Sequence, residues 1–282
     1  MPIKIHKPTS AGRRNSSVQD FSDITKHTPE KSLIIPLKKH SGRNNTGKIT
    51  VRHQGGGVKR YYRMVDFKQQ IFDTPATVVA IEYDPNRGPR VALVEYTGGK
   101  KSYILGYQGI KVGAVVVSSK GKIEPKNGNR MPLEHIPAGM FVYNVELEPG
   151  KGGQLGRGAG VGVQLMVVEG KYAQLKMPSS EVRLVKKECM ATVGQLGNSD
   201  YKLIRWGKAG RVRYRGIRPT VIGKNMNPVD HPHGGGEGHS PTGQKRGPRT
   251  PWGKPARGVK TRLKKASDKF IVSRRVSKKK KK

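Results

Sequence analysis

The chain has 282 residues, 33% of them hydrophobic, and carries 56 Lys and Arg against 19 Asp and Glu, a formal charge of +37. Such a composition supports one or two small cores but not one running its whole length, and a charge of that size calls for a polyanionic partner. A single cysteine argues against a disulfide framework and a Cys-based zinc site.

A membrane surface is the competing polyanion. The chain shows no 18-residue apolar run, no signal-peptide core and no basic amphipathic helix with a broad apolar face, so a cytosolic setting is expected. The charge is also uneven. Residues 1–63 carry 14 basic and 3 acidic residues, 64–200 carry 17 and 13, 201–240 carry 8 and 2, and 241–282 carry 17 and 1. This pattern describes a folded centre with basic flanks. The expected divisions are an N-terminal extension over 1–40, a barrel over 41–121, a second barrel over 122–200 and a C-terminal extension over 201–282.

Residues 1–40 mix proline, serine and charge without a sustained period, so extended or irregular chain is expected there, ordered by a partner. Arg13 and Arg14 are its candidate RNA contacts. In Ser41–Phe67, β-prone pieces at Ile49 and Val51 precede a break at Gly55, Gly56 and Gly57, followed by Lys59, Arg60, Tyr61, Tyr62 and Arg63. Glycines allow close approach to a backbone, arginines fork onto phosphates, and tyrosines stack on bases. Together with Arg43, Asn44, Asn45, Lys48, Arg52 and His53, they read as an RNA-contacting hairpin in preference to a merely solvated tip.

From Thr74 the composition changes. Ala76–Asp84, Arg90–Thr97, Ser102–Leu105 and Ala114–Val117 are short β-branched or aromatic runs separated by turns. They predict a small barrel, with the oligonucleotide-binding type favoured. A proline-punctuated junction over 122–139 leads to Met140–Leu147, Val161–Gly170, Tyr172–Met177 and Glu181–Val185, a second all-β set of a size suited to an SH3-like barrel. Between its first two strands, Pro149–Gly162 is Gly-rich and basic, but fits neither GxGxxG nor GxxxxGK followed by Ser or Thr. A loop lying against an RNA backbone, with Arg157 as its contact, is the economical reading.

After Asn198 the chain turns basic again. Arg211, Arg213 and Arg215 alternate with Val212 and Tyr214, and an extended segment would put all three arginines on one side. Arg205, Trp206, Lys208, Arg218, Asn225 and Asn227 join them as candidate contacts. Asn227–Ser240 is NPVDHPHGGGEGHS, with Val229 its only aliphatic residue. Such a segment gains no core energy, so alone it is expected to be disordered. His231, His233, Gly234, Gly235 and Gly236 are placed to enter a constriction in a partner. The remainder is expected to thread along phosphate through Lys245, Arg246, Arg249, Trp252, Lys254, Lys260 and Arg262, ending in five lysines.

His231 and His233, with Asp230, Glu237 and His239 nearby, could on paper hold a metal or act as a general base. The glycine run supplies no visible second set of groups to orient the imidazoles, and the surrounding positive charge disfavours a cation. A metal-dependent hydrolase is therefore the runner-up, and a nonspecific nucleic-acid packer comes third. No metal, cofactor or catalytic residue is expected.

KPTSAGRR, SGRNNTGKITVRHQGGG with YYRMVDF, VYNVEL with PGKGGQLGRGAG, RGIRPTVIGKNMNPVDHPHGGGEG and KTR at Lys260–Arg262 resemble the signatures of the large-subunit ribosomal protein family number two, bacterial or organellar type. The resemblance runs from His6 to the C-terminus. It implies an oligonucleotide-binding-type barrel followed by an SH3-like barrel, with long basic N- and C-terminal extensions in an otherwise all-β chain. It also implies a ribosomal location, with 23S-type ribosomal RNA, other large-subunit proteins and the small subunit as partners, and no homo-oligomer. The implied role is to organise RNA near the peptidyl transferase centre and to support subunit association, tRNA binding and peptide-bond formation. The catalyst is RNA, which His231 supports at most. Two departures are visible: Val58 where the family usually has His, and Ala256 where a hydroxyl-bearing residue is common.

Overall fold

The computed structural model describes residues 3–236 and 239–275. The chain forms two compact units. One holds Lys59–Ala209 with the segments up to Lys38 and from Lys269; the other holds Lys39–Val58 and Gly210–Asp268.

The first unit is mostly β-sheet. β1 (Ile3–Ile5) and β2 (Ser17–Gln19) pair antiparallel around a single helical turn, α1 (Ala11–Arg14). β3 (Ile34–Pro36) pairs with β4 (Tyr61–Arg63). Next, β5 (Ala76–Glu82), β6 (Val91–Tyr96), β7 (Lys101–Leu105) and β8 (Val115–Val116) form an antiparallel sheet in the order β7-β6-β5-β8. β5 begins with the alternation of a half-buried strand, Ala76 and Val78 inward and Thr77 and Val79 outward. The register then shifts between Val78 and Ala80. That extra residue bends the strand, and Ala80, Ile81 and Glu82 are all buried beyond it. Val91, Leu93, Val94, Tyr103 and Leu105 fill the core beneath.

The second sheet has seven strands and curls. β9 (Arg130–Pro132), β10 (Phe141–Tyr143), β13 (Val163–Glu169), β14 (Tyr172–Lys176), β15 (Val182–Lys186), β16 (Met190–Val193) and β17 (Ile271–Ser273) lie in the order β17-β15-β14-β13-β10-β16-β9. A separate hairpin of β11 (Val145–Glu146) and β12 (Gly153–Leu155) carries the Gly-rich turn. Met131, Leu133, Val142, Leu165 and Leu175 form the core of this half. The two halves adjoin. Tyr143 and Leu196 belong to the first core, and the Phe67 carbonyl accepts a 2.9 Å hydrogen bond from the Gly153 N–H.

An ion pair sealed inside the second half anchors the Gly-rich turn. Arg130 is fully buried; its Nη2 donates to Glu146 Oε1 at 3.1 Å, and its Nη1 donates to the Asn144 carbonyl and to Thr192 Oγ1. Glu146 also accepts from the N–H groups of Gly150, Gly152 and Met190 at 3.0–3.2 Å. Burial pulls the Arg130 pKa down, and the Glu146 charge opposes that pull. One carboxylate therefore ties together an arginine, a turn and a strand end.

Two expectations are corrected by these elements. The C-terminal segment does not simply trail along a partner: Ile271–Ser273 adds a strand to the edge of β15, with the Phe270 ring 6.2 Å from that of Tyr172. The β-branched pair Ile271-Val272 carried that signal within a lysine-rich context. The final five lysines lie outside the described residues. The second correction is that Arg211, Arg213 and Arg215 do not alternate along a strand. Ala209–Tyr214 is a short helix, α2, so Arg211 and Arg213 project from different sides. Arginine is a good helix former, and alternation over five residues is too short to override local propensity.

Candidate nucleic-acid interface

Most of the candidate contacts fall in the second unit, whose two segments carry 4 and 14 Lys and Arg against 3 acidic residues in all. It is built with little regular structure. Residues 53–58 run against 214–218: the Gly55 N–H donates to the Gly216 carbonyl, the Val58 N–H to Tyr214 and the Arg218 N–H to His53, at 2.9–3.0 Å. A Cβ on Gly57 would lie 2.8 Å from the Gly216 nitrogen, and its φ is +80°. The triple glycine is therefore needed first by the chain's own backbone.

Beside this seam lies an open groove of about 600 Å³, lined by Ser41, Arg43, Arg52, His53, Gly56 and Arg218 among others. Arg43, Asn45 and Lys48 are exposed around a turn that Asn44 closes. The Asn44 Oδ1 accepts from the Thr46 N–H and Oγ1–H and from the Lys48 N–H, so it is committed to local structure. Arg211 and Arg213 each keep a buried Nη1 with no hydrogen-bond partner, and Arg215 and Arg218 are exposed.

The histidine loop is more ordered than its composition suggests. The Asp230 N–H donates to Asn227, Gly234 to His231 and Gly235 to Met226. His231 is 8% exposed, with its ring flat against Gly223, where a Cβ would lie 2.5 Å from Nδ1. Its Nδ1 accepts from the His233 N–H at 3.0 Å, which places the proton of the neutral ring on Nε2. The His233 ring lies 4.7 Å away, tilted by 54°, and its Nε2 accepts from the Arg249 N–H at 2.8 Å. Over residues 227–236 backbone bonds take a place that an apolar core would fill elsewhere. Asn225, Asn227, Gly236, Lys245, Arg246, Arg249, Lys254, Lys260 and Arg262 are exposed; Arg262 is tied to Asp268 at 2.5 Å. Glu237 lies outside the described residues. Among the described residues no group of three or more His, Cys, Asp or Glu is placed to hold a metal.

The first unit carries the rest. Arg13 and Arg14 are exposed on α1, and Arg205 and Lys208 are exposed with Trp206 half-buried between them. The Arg205 N–H and C=O are both bonded to Ser17. Lys59 lies over the Tyr61 ring at 5.6 Å, Arg87 over Tyr62 at 5.6 Å, and Arg157 over Phe67 at 4.6 Å. Arg60 is half-buried and reaches the Pro85 carbonyl. Arg63 departs from the expected role. It is 6% exposed, with nitrogens 3.9 Å from Glu82 and from Asp84. A strand residue facing inward next to two buried carboxylates neutralises them and has no reach toward phosphate.

Arg87 is the cation that the sequence reading overlooked. It sits within 5.6 Å of both Tyr62 and Phe67 and is held by Asp84 at 2.5 Å. Its place in the DPNRG turn, three residues after Asp84, was the available signal. Among the described residues no helix is long and apolar enough to cross a membrane.

Two family models match the chain. Residues 30–118 match the one described as Ribosomal Proteins L2, RNA binding N-terminal domain, and residues 126–253 match the one described as Ribosomal Proteins L2, C-terminal domain.

Proposed function

The chain belongs to the ribosomal protein L2 family, a structural rRNA-binding constituent of the large subunit and not an enzyme, and from that premise we propose how its parts share the work. The oligonucleotide-binding-type barrel lies within residues 41–121 and the SH3-like barrel within 122–200, with basic extensions over 1–40 and 201–282; Lys39–Val58 groups with Gly210–Asp268 in the basic unit. The barrels act as shaped anchors. The extensions neutralise phosphate and enter RNA near the peptidyl transferase centre, where they support subunit association, tRNA binding and peptide-bond formation, with 23S-type RNA and neighbouring ribosomal proteins as partners in the cytoplasmic ribosome.

One observation carries this reading: the unit with the weakest regular structure is also the one with 18 basic residues against 3 acids. Such a surface is complete only against a polyanion. Its contacts are Arg43, Asn45, Lys48, Arg52, His53, Arg211, Arg213, Arg215, Arg218 and the exposed cations from Lys245 to Arg262. Arg13, Arg14, Lys59, Arg60, Tyr61, Tyr62, Arg157, Arg205, Trp206 and Lys208 serve the other unit. His231 contributes one Nε2–H donor to RNA organisation.

Co-sedimentation with large subunits at low to moderate salt tests the assignment, and recovery in the supernatant under those conditions would refute it. In dilute binding to folded large-subunit RNA, affinity should fall steeply with salt. An affinity flat between low and moderate salt would remove the phosphate-contact basis.

A further inference from the structure

Trp252 is held in a way that the family assignment does not account for. The Gly253 N–H donates to the Thr250 carbonyl and the Thr250 N–H to the Lys254 carbonyl, at 2.9 and 2.7 Å, closing a tight turn with Pro251 and Trp252 at its centre. Arg249 and Pro255 bridge at its base, and the Ala256 N–H donates to the Pro248 carbonyl. Proline at the first central position presets the backbone, and the glycine after the turn is the residue such three-residue hairpins favour. The indole at the tip is 73% exposed. A rigid turn presenting a bare indole to water is unfavourable unless something covers it.

One side of the ring is already occupied. The Arg52 guanidinium carbon lies 5.3 Å from the ring centroid. Arg52 also lines the groove that contains Arg43, His53 and Arg218, so the stacked pair stands at the rim of a cationic cleft of about 600 Å³. That volume falls in the range of small-ligand sites. Flat apolar contact on one side and forked cations on the other match a nucleobase and its phosphate. A protein segment would need both a flat ring and an acidic side chain at that spacing to match them, whereas one nucleotide carries both.

We propose that Trp252, backed by Arg52, stacks on one unpaired RNA base, with that nucleotide's phosphate held in the groove by Arg43 and Arg218. The base must be unpaired. A base inside a duplex has both faces covered by its neighbours, whereas a bulged or looped-out base can offer one to an aromatic ring. The proposal rests on the RNA-binding reading of this unit and adds to it a ligand state and a stacking residue.

The test uses the full chain with Trp206→Phe, which leaves Trp252 as the only tryptophan. Three RNA hairpins serve as probes: one with a single-nucleotide bulge, one fully paired, and one with an abasic residue in the bulge. The bulged hairpin should quench Trp252 emission and bind about 5- to 100-fold more tightly than the other two. Trp252→Ala should erase that preference while binding of the paired hairpin persists, and Trp252→Phe should retain part of it. Arg43→Gln with Arg218→Gln should lower the salt slope for the bulged hairpin by about 0.7–0.9, the value for one phosphate contact. Equal quenching by the abasic hairpin, or a preference that survives Trp252→Ala, overturns the proposal. Failure of all three hairpins to bind the wild-type chain at low salt would remove the RNA-binding reading itself, and the stacking role with it.

Discussion

Removing Glu146 should damage the protein more than removing Arg130, although the two form one ion pair. Arg130→Met takes away a buried guanidinium that donates to Glu146, Asn144 and Thr192. Breaking a buried pair costs about 3–5 kcal/mol, but Glu146 keeps three N–H donors, which soften the loss. Glu146→Ala leaves Arg130 as an unpaired buried cation and also strips the acceptor from Gly152 and Met190, both buried. Each orphaned N–H adds about 1–3 kcal/mol. The sum, about 5–11 kcal/mol, rivals the whole stability of a typical domain. Denaturant unfolding of the RNA-free chain should therefore give Arg130→Met a lowered midpoint and Glu146→Ala little or no cooperative transition, with trypsin cutting early at Lys151 and Arg157 in the released turn. If Arg130→Met proved the more damaging, or both cost under about 1 kcal/mol, the idea of Glu146 as the anchor would be refuted.

Burial raises the Glu82 carboxyl above its usual value, against the lowering effect of the Tyr103 hydroxyl that donates to it at 2.6 Å. A raised acid stabilises the fold most below its unfolded pKa and loses that contribution as pH rises through the folded one. The stability difference between the wild type and Glu82→Gln should accordingly shrink from pH 4 upward in thermal melts; growth over that range would contradict the burial argument. Cys189 is fully buried and its thiol is pushed up to about 12, chiefly by desolvation. A thiol reagent at neutral pH should label it only as fast as the protein opens, and immediate labelling would show that it is accessible. Ile271→Pro should detach β17 and expose the edge of β15, seen as faster amide exchange over 182–184; unchanged exchange would mean the edge is protected otherwise. Gly223→Ala should displace the His231 ring, because the new Cβ would lie 2.5 Å from Nδ1. The NMR shifts of the His231 ring and the His233 amide should move while the barrel signals stay, and stationary histidine signals would show that the loop adapts.

The sheets were legible because their residues obey rules that act within a few positions. Ala76–Glu82 and Val163–Glu169 are β-branched or alternate in burial, and turn residues bound them. The polar interior was not legible. Nothing local marks Arg130 and Glu146, 16 residues apart, as partners, nor Arg63 as the companion of Glu82 and Asp84. Those pairings are set by where strands come together, and a sequence window sees only an arginine. By default such an arginine reads as surface charge, although Arg63 faces Glu82 and Asp84.

The same difficulty acts in reverse in the basic flanks. A glycine triplet between cations suggests a backbone cleared for RNA, yet Gly57 is approached by Gly216 of its own chain. Histidines in a glycine run suggest side chains waiting for a partner, yet His231 and His233 each already accept a backbone N–H. Here the backbone supplies the donors and acceptors that apolar residues cannot replace, so the loop can be specified without a core. That changes what RNA has to do. If residues 227–236 reach RNA already folded, little ordering entropy remains to be lost on binding, and the exposed cations around them can act mainly through charge. The position of the Nε2–H of His231 would then be set by Gly223 and the His233 N–H before any nucleotide arrives.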